Sequence, residues 1–434
     1  MSSEIYIYAG LLLGLMLLGF PVAFSIGLTS LFALMLDGGW HANFAVLVQR
    51  MFNGVDSFPL LAVPLFMLAG NLMNTSGITN RIFHFASDCV GHLRLGLGQV
   101  NVMASMIFAG MSGAAVADAA GLGPVEMKAM LDAGYDRGYS AAITAASSTI
   151  GPIIPPSIPL VIFGIMAEVS IGRLLIGGIV PGVIIGGCLM AMNEYFGRRW
   201  GYPRLPFVGF LKLWKSFIHA FFPLLTPVIL VGGILSGVFT PTEAAAVCVV
   251  YAFILGYFFY RELRLGDLWR IVLVSMKGTA ELLFIVAAAT AFAFMLISAQ
   301  IPNQMVDLIT RISTNPYVVL LIINVMLLIL GCFMEPVAAI TIVVPVLMPL
   351  VHKVGIDPVH LGVVVVYNLV IGLLTPPVGL LLFVTSKIAE ISVEELLRNL
   401  WPFFIPLIAA LFMITYMPFL VTWLPNLLMG GMAR

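Results

Sequence analysis

Apolar residues run through this chain in long blocks, separated by short polar and basic stretches. Residues 5–36, 221–260 and 402–425 carry at most one charge. Each exceeds the roughly 20 residues that cross a bilayer as a helix. The pattern predicts crossings at 5–20, 21–36, 59–76, 138–164 and 174–196. It predicts a second series at 216–240, 241–260, 279–299, 358–385 and 400–425. Two further apolar segments, 98–130 and 317–351, are too short for two crossings and a turn, and are expected to be re-entrant hairpins. Amphipathic stretches at 42–56 and 261–277 are expected along opposite membrane interfaces. The stretch around Asp307 and Arg311 reads as a loop.

Two of the apolar segments are interrupted in the same way. Residues 150–164 read IGPIIPPSIPLVIFG and residues 371–385 read IGLLTPPVGLLLFVT. Proline removes a backbone donor and glycine relaxes the backbone, so both segments are expected to be broken helices. At membrane depth a break is costly unless it is buried in protein or lines a cavity. Paired breaks in corresponding halves point to the binding site of a secondary transporter. The match extends beyond the breaks. Gly110, Pro124, Met127, Gly134, Asp136, Gly151 and Pro156 recur as Gly331, Pro345, Met348, Gly355, Asp357, Gly372 and Pro377, all at one offset. The chain is therefore two repeats, 1–196 and 216–434, joined by a basic linker at 197–215. The first holds the hairpin near 98–130 and the broken helix 138–164. The second holds the hairpin near 317–351 and the broken helix 358–385.

Charge then orients the chain. The linker carries Arg198, Arg199, Arg204, Lys212 and Lys215 and no acid, which predicts a cytoplasmic location. Five crossings per repeat require the repeats to be inverted. Ten crossings put both termini outside. The composition agrees with a membrane protein: 61% of the 434 residues are hydrophobic, 9% are charged, and the mean hydropathy is +1.10. A net charge of zero gives no sign of nucleic acid as a partner. The N-terminus lacks a basic n-region and a cleavage site, so the first span is expected to be retained. Four isolated cysteines and six scattered histidines make no metal or nucleophile constellation, so no enzyme activity and no cofactor are expected.

At each break, backbone carbonyls lose their helical partners and become hard ligands suited to an alkali cation. Half-helix N-termini favour an anionic group. One site would join the Ser112-Gly113 tip to Gly151–Pro156. The other would join Gly331–Glu335 to Gly372–Val378, with a hydroxyl from Thr375. Asp118 and Glu335 are intramembrane acids and functional candidates by default; equally, each can cap a half-helix or face water. Ser147, Ser148 and Asn368 can touch substrate or bond neighbouring helices. Pro155 and Pro376 sit at the breaks themselves.

These motifs resemble the large membrane subunit of tripartite ATP-independent periplasmic (TRAP) transporters, of the DctM type. The matching stretches are 112–130, 136–164, 331–350 and 355–386, and the resemblance covers nearly the whole chain. One departure is Ala114, where the family often has a second serine in the first tip. The resemblance implies an all-α polytopic fold with scaffold and transport domains working as an elevator. It implies sodium-coupled uptake across a bacterial inner membrane of an organic anion, a carboxylate such as a C4-dicarboxylate or sugar acid. It implies two partners, a periplasmic substrate-binding protein and a small four-span membrane subunit, here expected as a separate chain. It implies sodium site one at Ser112, Gly151, Ile154 and Pro156, and sodium site two at Gly331, Gly372, Thr375 and Val378. Substrate contacts would fall among Ser112, Gly113, Asp118, Ser147, Ser148, Pro155, Glu335, Asn368 and Pro376. The rival readings are a stand-alone sodium/dicarboxylate or ion transporter of similar architecture and, further off, a channel.

Overall fold

The computed structural model describes residues 3–38, 43–200 and 205–430, and among these the chain is helical with no strand. Seven helices have the length and hydropathy of a crossing. They are Phe58–Thr75, Ile171–Arg198, Phe210–Leu235, Pro241–Phe259, Leu265–Ser298, Pro336–Val354 and Val393–Tyr416. Gly96–Ser112 and Ala115–Gly121 form a pair bent by 119° that adds an eighth if counted as one span. The other expected crossings fall on shorter apolar helices, among them Ile7–Leu17, Val22–Leu36, Pro358–Gly372 and Leu380–Ala389. Several are short because glycine and proline interrupt them.

Each of the four segments expected to be a hairpin or a broken helix is divided into separate helices. The first hairpin is Gly96–Ser112 followed by Ala115–Gly121 and Gly123–Asp132; the second is Pro316–Gly331 followed by Pro336–Val354. The first broken helix is Arg137–Ser148 with Ile158–Met166, and the second is Pro358–Gly372 with Leu380–Ala389. Asp136 caps the former by accepting from the backbone N–H of Gly138 and Tyr139. Asp357, its repeat counterpart, accepts from Val359 and His360 in the same way. An Asp N-cap satisfies donors that the first helical turn leaves orphaned. The peptide bonds Pro155–Pro156 and Pro376–Pro377 are both cis.

Packing between the repeats is reciprocal. Val22–Gly38 of the first repeat lies against Leu265–Ser298 of the second, and Pro241–Ile254 of the second lies against Ala62–Thr75 of the first. Ile158–Met166 packs on Pro336–Val354, while Leu380–Ala389 packs on Ala115–Gly121. Arg137–Ser148 meets Val393–Leu400, and Pro358–Gly372 meets Ile171–Gly177. Each pairing returns with the repeats exchanged, as a two-fold relation between like units demands.

Two expectations need correction. Segment 261–277 is not a separate surface helix, because Leu265–Ser298 runs unbroken for 34 residues. The expected boundary fell at Gly278, between 261–277 and 279–299, yet a single glycine costs a helix only about 1 kcal/mol. Gly278 also lets the side chain of Met67 approach. The stretch around Asp307 and Arg311 is not a loop but the amphipathic helix Ile301–Ile312. Its counterpart, Ile78–Val90, buries Ile78, Ile82, Phe83 and Ala86 on one face. Its Arg81 pairs with Glu262 at 2.7 Å and stacks over the ring of Tyr260. Phe44–Val55 is an amphipathic helix as expected. Arg204 of the linker lies outside the described residues, and Lys212 is 3.8 Å from Asp88.

Candidate functional site

Each hairpin tip meets the broken helix of its own repeat. At the first, Gly113 ends Gly96–Ser112 with φ +66°, a left-handed conformation natural to glycine. Its carbonyl accepts from the N–H of Ile158 at 3.2 Å. A side chain at Gly113 would sit 2.8 Å from the carbonyl oxygen of Pro156, and one at Gly151 would meet the carbonyls of Ala114 and Ser148 at 3.3 Å. Ser112, Gly113, Gly151 and Pro156 thus come together. Pro155 and Pro156 are buried, and Ile154 is half-buried against Gly182. The Ser157 hydroxyl ties the break by donating to the Pro152 carbonyl, and it caps the next helix by accepting from Leu160 N–H at 3.2 Å. The Ser112 hydroxyl is buried and has no protein partner among the described residues.

At the second tip the approach is backbone against backbone. A Cβ on Gly372 would lie 2.5 Å from the Cα of Gly331 and 2.7 Å from its carbonyl oxygen. The Cys332 carbonyl accepts from Val378 N–H at 3.2 Å. Thr375 donates to the Gly372 carbonyl at 2.7 Å, and its Oγ1 lies 2.9 Å from the Cys332 Sγ. Gly331, Gly372, Thr375 and Val378 therefore form one cluster. Pro376 and Val378 are exposed. An apolar groove of about 700 Å³ opens beside them, lined by Cys332, Thr375, Trp401, Phe404 and Phe412 among others.

The remaining candidates lie away from the tips or have local partners. Glu335 caps Pro336–Val354, its Oε2 accepting from Val337 N–H at 2.9 Å and Ala338 N–H at 3.3 Å. Asn368 donates to the Oδ1 of Asn324 at 2.8 Å and to its carbonyl at 3.1 Å, and Asn324 donates on to Thr415. Ser148 donates to the Thr144 carbonyl at 2.7 Å. Asp118 and Ser147 belong to a buried network with Asn101, Ser105, Glu126 and Thr144. Sequence reasoning passed over those last four. The spacing of Asn101 and Ser105, one helical turn apart in an apolar helix, was the available signal. Among the described residues no group of three or more His, Cys, Asp or Glu is arranged for a metal ion.

Broken helices and hairpins paired across a duplicated helical bundle define a multi-pass membrane permease of the secondary-transporter class. Residues 9–420 match the family described as Tripartite ATP-independent periplasmic transporter, DctM component. The chain belongs to this family and is a TRAP transporter large permease subunit. It is 45% identical over 418 residues to the sialic acid TRAP transporter large permease protein SiaM of Vibrio cholerae, covering 96% of this chain and 97% of that one. It is 40% identical over 380 residues to the C4-dicarboxylate TRAP transporter large permease protein DctM of Pseudomonas aeruginosa, covering 88% and 89%. It shares its fold with the Alcanivorax borkumensis YdaH transporter, at TM-score 0.55 and 14% identity over 86% of this chain and 87% of that one.

Proposed function

We propose that this permease drives uptake of an organic carboxylate with sodium ions, the substrate arriving on a periplasmic binding protein. The carrying observation is the seating of each tip on its own break, Gly113 on Pro156 and Gly331 on Gly372. Such junctions gather carbonyl and hydroxyl oxygens without a fixed proton, which suits a sodium ion. Site one draws on Ser112, Gly151, Ile154 and Pro156, and the unpartnered Ser112 hydroxyl supports it. Site two draws on Gly331, Gly372, Thr375 and Val378. The substrate carboxylate meets the helix N-termini between the tips. A carboxylate substrate is supported by relatives whose names carry sialic acid and C4-dicarboxylate. Hairpins and broken helices form a moving transport domain, and the outer helices form a scaffold completed by a small membrane subunit. The assembly sits in a bacterial inner membrane with residues 197–215 in the cytoplasm.

The test is uptake into proteoliposomes holding this chain, its small subunit and its binding protein. An inward sodium gradient is expected to drive it. Uptake on a proton gradient alone, or by this chain alone at the full rate, overturns the reading. Labelling of a Leu205→Cys variant from the periplasmic side of intact cells overturns the orientation.

A further inference from the structure

The buried network of the first repeat is built around two acids with no base. Asp118 and Glu126 are each 1% exposed, and among the described residues neither makes an ion pair. One oxygen of each, Asp118 Oδ1 and Glu126 Oε1, has no hydrogen-bond partner of normal geometry; the Ser148 hydroxyl also lies beside the Asp118 carboxyl but donates to the Thr144 carbonyl. Two uncompensated charges in such a place are severely destabilising, and a water molecule would satisfy an oxygen without cancelling a charge.

The hydrogen bonds can be counted. Asp118 Oδ2, Ser105 Oγ, Ser147 Oγ and Asn101 Oδ1 follow one another at 3.1, 3.1 and 2.7 Å. The Asn101 amide nitrogen faces away, toward Glu126 Oε2 at 2.8 Å and Thr144 Oγ1 at 2.7 Å. The run has three contacts, but its two serines supply only two protons. With both carboxyls ionised, one pair of oxygens faces each other with nothing between. A proton on Asp118 completes the run, each hydroxyl then accepting once and donating once. Turning the Asn101 amide over does not remove the need. Its oxygen would then face Glu126, and that contact requires a proton on Glu126. Either orientation calls for one proton.

The second repeat serves as an internal control. The counterparts of Asn101, Ser105, Asp118, Glu126 and Thr144 are Ile322, Met326, Ala339, Leu347 and Val365. The sixth member, Ser147, has Asn368 as its counterpart, which bonds to Asn324. Apart from that asparagine pair the same hairpin and broken helix assemble there around apolar side chains, so the fold does not require the acids. From these observations we propose that Asp118 and Glu126 form a proton-binding site, enclosed within the first hairpin, that holds one proton between them.

The titratable groups on the helices packed around the pair are engaged elsewhere. Lys128, Asp132 and Lys387 are exposed, and Arg137 lies 3.3 Å from Glu390. On Ile78–Val90, Arg81 is paired with Glu262, His84 is exposed, Asp88 lies beside Lys212 and Ser216, and the half-buried Cys89 is free of any disulfide. Tyr139 donates to Asn193 at 3.0 Å.

Infrared spectroscopy of the full chain in lipid nanodiscs tests the proposal, because a protonated carboxyl has a C=O stretch that a carboxylate lacks. At neutral pH the wild type is expected to show this band. It should vanish in Asp118→Asn or in Glu126→Gln, whichever residue holds the proton, and should shift in Ser105→Ala. The folded state then keeps a proton that the unfolded chain has released, so the melting temperature should fall as pH rises. That fall should flatten in the variant that loses the band. A wild type with no acid band overturns the proposal, and so does a band that survives both neutral variants. Loss of the band on adding sodium overturns it as well, since the site would then hold the metal ion. The wild-type and Ser105→Ala spectra decide the matter even where a neutral variant fails to fold.

Discussion

The two tips carry one sequence pattern and reach the same fold by different contacts. The first is closed: Pro155 and Pro156 are buried, and the turn rests on the left-handed backbone of Gly113. The second is open: Pro376 and Val378 are exposed, and the junction rests on Gly331 lying directly on Gly372. Behind the first tip lies a polar network, and behind the second an apolar core with a single asparagine pair. A duplication preserves backbone geometry, because glycine, proline and caps dictate it locally. The side chains behind that geometry are free to diverge, and divergence gives each half its own chemistry.

Filling the glycines is the harshest way to break this comparison. Gly372→Ala is expected to abolish uptake and to destabilise the protein by about 3 kcal/mol, the upper range for overpacking, because backbone rather than a flexible side chain blocks the new Cβ. Gly151→Ala meets carbonyls at 3.3 Å and should cost about 1 kcal/mol, with uptake reduced but present. Thermal melting and proteoliposome uptake of the two variants check the order; equal losses would mean that the tips are equally tight. Next comes the polar core of the second repeat. Asn368→Val strands its Asn324 partner and should destabilise by about 1–3 kcal/mol, read as a lowered melting temperature. A smaller effect is expected at Thr375. Thr375→Val removes one oxygen while keeping the shape, so the sodium concentration for half-maximal uptake should rise. Thr226→Val should leave it unchanged, since the Thr226 hydroxyl is buried and has no partner among the described residues. The smallest difference is expected at the matched caps: Asp136→Ala and Asp357→Ala should each cost about 1 kcal/mol, and equally.

The interruptions at Gly113, at residues 151–157, at Gly331 and at residues 372–379 were legible in the sequence because glycine and proline act on the backbone where they stand. The meeting of Gly331 with Gly372 was legible only from the place of each at an interruption, since their repeat counterparts do not meet: Gly110 faces Pro227. Ile78–Val90 and Ile301–Ile312 were missed because charged and polar residues break up their apolar positions, so that each is too polar to stand out as a crossing. The buried network was only half legible. Asp118 and Ser147 stood out beside the motifs, but Glu126 reads as an ordinary first-turn acid in GPVEMKAM. Its burial depends on Asn101 and Thr144, which arrive from two other helices. Contacts between distant helices leave no local mark.

The exchanged packing between the repeats bears on how the protein is made. When the first repeat leaves the ribosome, Val22–Gly38 and Ala62–Thr75 have been inserted before Leu265–Ser298 and Pro241–Ile254, their lasting neighbours, have been translated. Each half is a template the other completes, so the nascent half-protein must wait in the lipid with its inner faces unclaimed. A gene cut within 205–209, between the repeats, is expected to yield two fragments that fail singly and assemble when synthesised together.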